Sequence, residues 1–399
     1  MNSYLKSLFF INCFLNLFVA ATNDELILVQ ALWRHGDRSP TGTFRTDPNQ
    51  EEVWPQGWGQ LSPKGMAQHV ILGRKLKARY IDQLHFVSER YLNKEIYIRS
   101  TDINRTLTSA ISNMVGFYSK GMPGKDYPSE RESQWWPHGF TPVAVHTIAS
   151  YEDHIIPDIP DVPCPRQSKI HEIMQNTPEY RQLMDDNKQL FSDLSTFTGE
   201  KIDIFNFGLV ADTLFIEDQY RDELPHPMPE WTQNRTLREK ITKMDFLLEE
   251  WINGRGLSAF DECGGVFFGS EIANWVATLC DWIRTRKYFA YSAHDTTIAA
   301  LFSALGFNKT NFDVDGYPHY SACVTFELWQ NATNLEHYIK AFYWPPNSPG
   351  FEEMTRNITG CETNSTLNRF VERSEVFKPV PSPDEYFTTV AAAVVEEFD

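Results

Sequence analysis

The sequence predicts an α/β fold in which a mixed central sheet is flanked by helices and a smaller, mainly α-helical domain is inserted. Three short apolar segments each lead into a charged cluster and then into a helical pattern, the order of strand, loop and helix in an α/β domain. A long stretch between the second and third of these segments is polar and helix-like. The 399 residues leave room for roughly two or three compact units, so a second domain fits the length.

The elements of the predicted sheet domain lie in two blocks, one near each end of the chain. Residues 25–33 are a nearly continuous apolar run, which is typical of a strand buried on both faces of a sheet. Ser62 and Pro63 are the N-cap and first residue of a predicted helix, and Thr101 or Asp102 is predicted to cap the next. In chain order the predicted elements are strand 25–33, helix 61–80, strand 95–99, a helix ending near 119, strand 288–292, helix 297–305, and hairpin strands 322–329 and 336–344.

The domain organisation follows from these two blocks. Residues 120–165 are rich in proline and lack a regular period, and residues 167–255 are mostly polar, charged and helix-like. We therefore assign residues 22–119 and 261–399 to the α/β domain, and residues 120–260 to the mainly α-helical insertion.

Residues 1–21 have the composition of a secretory signal peptide. Lys6 supplies the positive charge, residues 8–20 the apolar stretch, and Val19-Ala20-Ala21 a small-residue cleavage site. The alternative is a short membrane anchor, but the apolar stretch is too short for a span and contains two asparagines. We expect a mature chain without a membrane span that is secreted to the extracellular space or soluble in a lumen.

In a secreted protein, cysteines can form disulfides and several of the asparagines can carry glycans. After removal of the signal peptide, five cysteines allow two disulfides and one leftover thiol, and the sequence alone leaves their pairing open. The five are Cys164, Cys263, Cys280, Cys323 and Cys361. Six N-x-[ST] sequons suit a glycoprotein, and they begin at Asn104, Asn234, Asn308, Asn331, Asn357 and Asn364.

The charge balance excludes a protein that binds duplex nucleic acid. The formal net charge is −17, from 36 Lys and Arg against 53 Asp and Glu, whereas binding a phosphate backbone requires basic surface. One basic run is interrupted by Leu76 and Tyr80 at helical spacing, which indicates a solvated helix face. This run consists of Arg74, Lys75, Lys77 and Arg79.

Charged clusters follow three of the predicted strands. They are Arg34-His35-Gly36-Asp37-Arg38, Arg99-Ser100-Thr101-Asp102 and His294-Asp295-Thr296-Thr297. Ligands of open α/β sheets bind at the carboxyl ends of the strands, so three strands in one sheet would bring the clusters together. The candidate site residues are Arg34, His35, Arg38, Arg99, His294 and Asp295.

This set of side chains fits the hydrolysis of a phosphate monoester. Guanidinium groups bind phosphate oxygens through paired hydrogen bonds. A histidine among arginines stays neutral at acidic pH, because its protonated form is disfavoured, and it can attack phosphorus to form a phosphohistidine. A neighbouring carboxyl can protonate the leaving alkoxide, and no step requires a metal.

Two other interpretations of the same residues are weaker. His35, His294 and Asp295 could form a metal site of two histidines and one carboxylate, but three arginines in the pocket would repel a cation. Cys280 and Arg286 have the Cys-x5-Arg spacing of cysteine phosphatases. The residues between them are too large for a loop whose backbone N–H groups must curl around an oxyanion.

The three clusters together resemble the signature of the histidine acid phosphatases. Gly57-Trp58-Gly59-Gln60-Leu61, followed by Gly65-Met66, is also similar to the early helix of that family. The resemblance covers roughly residues 27–119 and 288–329 and is greatest to the prostatic and lysosomal types. Residues 166–260 match only loosely.

The resemblance implies a phosphoglycerate mutase-like fold, a reaction with neither metal nor cofactor and, in many members, a homodimer. It implies His35 as nucleophile and Asp295 as proton donor. The implied phosphate-binding residues are Arg34, Arg38, Arg99 and His294. Lysosomal members carry a membrane span near the C-terminus, and its absence from this sequence favours secretion or a soluble lumenal form. Asn104 follows Arg99 closely, so we expect a glycan there to crowd the phosphate site.

Two alternatives keep the same fold. A phytase-like inositol polyphosphate phosphatase would share the motifs but bind a polyanion, and this acidic chain has no additional basic cluster for one. A catalytically silent secreted binding glycoprotein would have lost the reaction, yet every inferred catalytic residue is present. We therefore expect a secreted acid phosphatase that acts on a small phosphomonoester. The sequence does not identify that substrate.

Overall fold

A mixed sheet of seven strands forms the centre of the described structure, a computed structural model covering residues 24–153, 155, 156, 172, 175–252, 286–307 and 318–377. The strands are β1 (Glu25–Arg34), β2 (Ile96–Ser100), β3 (Val145–His146), β4 (Tyr288–Ala293), β5 (Cys323–Gln330), β6 (His337–Trp344) and β7 (Glu352–Glu353). Their order across the sheet is β3-β2-β4-β1-β5-β6-β7. The predicted mixed sheet is confirmed, and both blocks of the chain contribute strands to it.

The central strand, β1, has a parallel neighbour on one side and an antiparallel neighbour on the other. It pairs in parallel with β4 and in antiparallel with β5. β2 also runs parallel to β4, so β1, β2 and β4 end at the same edge of the sheet. The charged clusters that follow these strands therefore meet at one edge.

Side chains along β1 contribute to two hydrophobic cores. Leu32 belongs to the core that includes Ile298 and Leu301, whereas Trp33 packs with Leu72 and Met114. Successive residues of a strand point to opposite faces of the sheet, so both faces of β1 are covered. This double burial explains the nearly continuous apolar run in the sequence.

Seven α-helices lie in the described part of the chain. They are α1 (Pro63–Lys77), α2 (Asn104–Phe117), α3 (Pro178–Thr198), α4 (Phe207–Gln219), α5 (Arg235–Ile252), α6 (Asp295–Ala304) and α7 (Leu367–Ser374). α1 begins as predicted, with Pro63 as its first residue and the hydroxyl of Ser62 accepting a hydrogen bond from the backbone N–H of Gly65. The predicted cap of α2 is wrong. Ile103 precedes that helix, and no side chain caps it.

Glycines allow α1 to approach both α2 and the loop after β1 very closely. A Cβ atom on Gly73 of α1 would lie 2.0 Å from the carbonyl oxygen of Asn113, and one on Gly116 of α2 would lie 2.1 Å from a backbone oxygen of α1. Likewise, a Cβ atom on Gly36 would lie 2.4 Å from the carbonyl oxygen of Gly65. A larger residue would overlap the backbone at these points, so the contacts require glycine.

A third hydrophobic core joins α3, α4 and α5. It includes Leu194 of α3, Phe207 and Leu214 of α4, and Met244 of α5. Phe44, from the segment after β1, is fully buried in the same core. The mainly helical character predicted for this part of the chain is confirmed in α3, α4 and α5, and Phe44 links it to the sheet.

β3 lies within the range 120–260 that the sequence analysis assigned to the insertion. It nevertheless joins the sheet, with Ile98 of β2 opposite Val145 and Arg99 opposite His146. A strand of two residues in a proline-rich stretch has too short a pattern to be predicted. The domain boundaries themselves remain a prediction, and the second boundary lies outside the described residues.

Arg74 in the basic run is exposed, as predicted, but the other three side chains of the run do not form a solvated helix face. The amino group of Lys75 contacts backbone carbonyl oxygens in the loop after β6. Lys77 is buried and lies 2.6 Å from a carboxyl oxygen of Asp82. Arg79 forms hydrogen bonds of 2.5 and 2.8 Å with the buried carboxylate of Glu327 in β5. The loop and Glu327 lie far along the chain, so helical spacing alone could not reveal them.

The described part of the chain contains Cys323 and Cys361. Both are buried free thiols, and burial raises the pKa of each. Cys164, Cys263 and Cys280 lie outside the described residues, as do the predicted signal peptide and most of the Cys-x5-Arg segment. With Cys323 and Cys361 free, the other three cysteines can form one disulfide at most, so the expectation of two disulfides with one leftover thiol is wrong.

α4 places a buried carboxyl group against the segment after β1. Glu217 is fully buried, and its neighbours there include Asp47 and Asn49, which are buried too. Burial, followed by the negative charge of Asp47, raises the pKa of Glu217 to about 8, and Asp218 adds a smaller effect in the same direction. An ordinary glutamate has a pKa of 4.5, so the folded chain holds this proton more tightly than the unfolded chain does.

We expect this group to lower the stability of the protein as the pH rises from about 4.5 to about 8. Its contribution is complete below that window, where both folded and unfolded chains bind the proton. Glu217→Gln removes this titration. The melting temperature of the variant minus that of wild type should therefore increase by ~5 °C between pH 5 and pH 8. Glu239→Gln, at an exposed position on α5, is the control and should show no such trend. A difference between Glu217→Gln and wild type that is constant with pH would contradict the raised pKa.

Candidate active site

The strand ends bring the predicted site residues to one edge of the sheet. Arg34 ends β1, Arg99 lies at the end of β2, and Asp295 follows β4. The rings of His35 and His294 are 5.7 Å apart between centroids. Five of the six are buried and Asp295 is half-buried; the six are Arg34, His35, Arg38, Arg99, His294 and Asp295.

The surroundings of His35 make its imidazole neutral. Its Nδ1 atom lies 2.8 Å from the carbonyl oxygen of Gly36, which can only accept, so Nδ1 carries the proton and Nε2 does not. Burial lowers the pKa of His35 well below its usual value, and the positive charges of Arg105, Arg34 and Arg38 lower it further. The unprotonated Nε2 can therefore act as a nucleophile even at acidic pH.

His294 has the opposite tautomer, because an arginine contacts its Nδ1 atom. The guanidinium of Arg105 lies 3.4 Å from Nδ1 and can only donate, so Nδ1 accepts. The proton is then on Nε2, which lies 3.1 Å from the hydroxyl oxygen of Thr101. Thr101, predicted to cap α2, instead orients His294.

Asp295 is the first residue of α6 and pairs with Arg34. An Nη2–Oδ2 distance of 2.6 Å defines this ion pair. Burial raises the pKa of Asp295, but the positive charges of Arg34 and then Arg38 outweigh that effect and leave the pKa below its ordinary value. The carboxyl group is thus ionised in this arrangement, and a negatively charged ligand beside Arg34 would favour its protonated form.

Each arginine of the predicted phosphate site is paired with one carboxylate. The pairs, with their N–O distances, are Arg34–Asp295 (2.6 Å), Arg38–Asp212 (2.8 Å) and Arg99–Asp153 (2.6 Å). Such pairs fix the orientation of a guanidinium before a ligand arrives.

Asp37, in the first charged cluster, ties the loop after β1 to two helices. The side chain is fully buried, and its Oδ2 atom accepts hydrogen bonds from the hydroxyls of Ser62 and Tyr220. Ser62 caps α1, whereas Tyr220 follows α4. The carboxylate therefore supports the loop that carries His35 and does not belong to the pocket's arginine pairs.

The site and the fold can now be compared with known proteins. Residues 25–343 match the protein family described as histidine phosphatase superfamily (branch 2). The chain belongs to this superfamily. The resemblance inferred from the three charged clusters is therefore confirmed.

Relatives within the histidine phosphatases narrow the assignment. The chain is 33% identical to the lysosomal acid phosphatase of Homo sapiens over 360 residues, which covers 89% of this chain and 78% of the relative. It is 32% identical to the prostatic acid phosphatase of Homo sapiens over 351 residues, covering 87% and 84% respectively. The chain is accordingly a histidine acid phosphatase, an enzyme that hydrolyses phosphate monoesters.

Two phytases of known structure share the fold. The phytase of Citrobacter braakii superposes with a TM-score of 0.65 at 12% identity, over 92% of this chain and all of that one. The phytase of Klebsiella sp. ASR1 gives a TM-score of 0.63 at 15% identity, over the same shares. At this level of identity the likeness concerns the fold alone. It agrees with the predicted phosphoglycerate mutase-like architecture.

Sequence reasoning missed several residues of this histidine phosphatase site. Arg105 lies in the first helical turn after the second cluster, and an arginine at that place was a usable signal. Asp153 and Asp212 come from the middle of the chain, where nothing in the local pattern marks them. Tyr320 precedes β5, and Cζ of Arg34 lies 4.3 Å from the centroid of its ring.

Two further findings concern this phosphatase's surface. Asn104 is exposed at the first turn of α2, whereas its neighbours Arg105 and Thr106 turn inward to His294 and Thr101. The exposure of Asn104 therefore argues against the expectation that a glycan there would crowd the phosphate site. Among the helices of the described residues, none has the length and apolar character needed to cross a membrane.

Proposed function

We propose that this histidine acid phosphatase hydrolyses phosphate monoesters through a covalent phosphohistidine on His35, with Asp295 as proton donor. The observation that carries the proposal is the hydrogen bond of 2.8 Å between Nδ1 of His35 and the carbonyl oxygen of Gly36. It leaves Nε2 unprotonated, in a buried ring whose pKa is lowered by burial and by arginines. A neutral, oriented imidazole among cationic groups is what an attack on a phosphate ester requires.

The proposed reaction has two steps. First, Nε2 of His35 attacks phosphorus, so that an N–P bond forms while the ester P–O bond breaks, and the departing oxygen takes a proton from Asp295. Second, water attacks the phosphohistidine and gives a proton to the Asp295 carboxylate. The N–P bond breaks, and inorganic phosphate leaves with His35 neutral again.

Arginines supply the charge stabilisation in this proposal. Arg34, Arg38, Arg99 and His294 would bind the phosphoryl oxygens, and we add Arg105, which contacts His294, to this group. Guanidinium groups fixed by carboxylates can neutralise developing charge without rearranging. The mechanism therefore needs no metal ion.

The proposed mechanism favours an acidic pH optimum. Asp295 must carry a proton to protonate the leaving group, and its pKa is low while it pairs with Arg34. A bound phosphoryl group competes for Arg34, and its negative charge raises the affinity of Asp295 for a proton. His35 stays neutral over the same range because its pKa lies well below 6.5.

Localisation belongs to the same proposal. We infer secretion, or release into a lumen, from the predicted signal peptide at residues 1–21. The exposure of Asn234, Asn357 and Asn364 at three sequons agrees with a glycoprotein. N-terminal sequencing of protein recovered from the medium should begin after the small-residue site at residues 19–21.

Hydrolysis of p-nitrophenyl phosphate at about pH 5, with and without a chelator, tests the function. We expect turnover that dialysis against the chelator leaves unchanged, because the charge stabilisation comes from arginines. Phytate, supplied as a competing substrate, should be hydrolysed far more slowly, since this acidic chain has no additional basic cluster to bind a polyanion. Loss of activity that zinc or magnesium restores would contradict the metal-free mechanism. Preferential hydrolysis of phytate would instead support the phytase-like alternative.

A further inference from the structure

Two aromatic rings extend from the nucleophile towards solvent. The ring of Tyr320 lies 5.7 Å from that of His35, and the ring of Phe215 lies 6.3 Å from that of Tyr320. Tyr320 is buried, whereas Phe215, on α4, is 52% exposed. The two rings therefore form an aromatic wall between the catalytic imidazole and the surface.

Arg34 places this wall on the side of the proton donor. One of its Nη atoms contacts Asp295 at 2.6 Å, and the other donates to the carbonyl oxygen of Pro318 at 2.6 Å. Its guanidinium also covers the ring of Tyr320. Since Asp295 is proposed to protonate the leaving oxygen, the group attached to that oxygen departs past Arg34 and along the aromatic wall.

We propose that Phe215 and Tyr320 form the leaving-group subsite, in which a flat apolar leaving group rests against the two rings. This inference depends on the proposed function, because it takes His35 and Asp295 as nucleophile and acid. Phe215 is the specificity-determining residue of the pair, and Tyr320 also supports Arg34.

The exposure of Phe215 argues against a purely structural role. Its helix buries other side chains, such as Val210 and Leu214, in the third core. A phenylalanine that leaves half its surface in water gains little from burial, and single exposed apolar residues are common. This one, however, faces an aromatic ring that contacts both the nucleophile and a phosphate-binding arginine. A ring placed there can stack on a planar substrate.

Phe215→Ala separates this subsite from the phosphate site. We expect kcat/KM for phenyl phosphate to fall roughly 5- to 10-fold, mainly through KM, because one aromatic contact is lost. The kcat/KM for glycerol 2-phosphate should change less than about twofold, since its leaving group has no ring. Inhibition by inorganic phosphate should be unchanged, which also shows that the phosphate site is intact.

Phe205→Ala is the matched control, because Phe205 is 65% exposed and precedes the same helix. It should leave kcat/KM for both substrates unchanged, whereas Phe215→Tyr should keep the preference of wild type for phenyl phosphate. Equal losses for both substrates in Phe215→Ala, or no loss in either, would overturn the subsite. If wild type hydrolyses neither ester, the proposed function fails and the subsite fails with it. If wild type hydrolyses both and Phe215→Ala matches it, the subsite alone is wrong.

Discussion

His35→Ala is expected to abolish turnover of every phosphate monoester, with a loss in kcat of roughly 10⁴- to 10⁶-fold. Without the imidazole no N–P bond forms, and neither arginines nor a proton donor replaces the covalent intermediate. Aryl and alkyl substrates should both lose turnover, because neither can transfer its phosphoryl group without the nucleophile. Steady-state rates, together with trapping of an acid-labile phosphoenzyme from wild type, measure the effect.

His226→Ala provides the control, since that side chain is exposed and the backbone carbonyl bonded to Asn49 is kept. Its activity should equal that of wild type. The His35→Ala protein should still bind inorganic phosphate, as shown by a rise in melting temperature, because the arginines remain. Turnover by His35→Ala within tenfold of wild type would show that phosphorus is not transferred to this residue.

Asp295→Asn should reduce the rate in proportion to the need of the leaving group for a proton. General acid catalysis typically contributes about 10²- to 10⁴-fold, so kcat for glycerol 2-phosphate should fall by that factor. p-Nitrophenolate leaves readily without protonation, so its phosphate ester should lose far less. The ratio of the two kcat values, before and after the substitution, is the measurement.

The control for Asp295→Asn is Asp212→Asn, which removes a carboxylate from Arg38 in place of Arg34. It should lower kcat for both substrates by the same factor, because Asp212 orients a phosphate-binding group and donates no proton in the proposed mechanism. An unchanged ratio in Asp295→Asn would mean that Asp295 only orients Arg34, and the proton donor would have to be sought elsewhere.

Local sequence patterns were enough to predict the sheet and the six candidate residues. His35 and Asp295 each follow an apolar strand directly, and parallel strands of one sheet place such residues at one edge. Arg34 and Asp295 are 261 positions apart, yet the strands that precede them pair residue by residue. The apolar pattern of each strand and the parallel direction of the strands place these residues at one edge, so the sequence alone could predict their proximity.

Contacts that depend on packing between distant segments were not predictable. Asp212 contacts Arg38 from α4, and nothing in the helical pattern of α4 distinguishes that carboxylate from the exposed one of Asp218. Arg79 lies on a polar helix face, and its partner is Glu327, a buried glutamate on β5. In both cases the tertiary structure brings the oppositely charged partner to the side chain, and the local sequence does not identify that partner.

The glycine contacts of α1 bear on how freely this part of the chain can vary in evolution. Gly73 meets α2, which follows the strand of Arg99, and Gly65 meets Gly36, which adjoins His35. One added methyl group at Gly73 would overlap the backbone of α2, and one at Gly36 would push the loop that bears the nucleophile against α1. We therefore expect these positions to tolerate little substitution in evolution, although Gly73 and Gly116 take no part in the proposed chemistry.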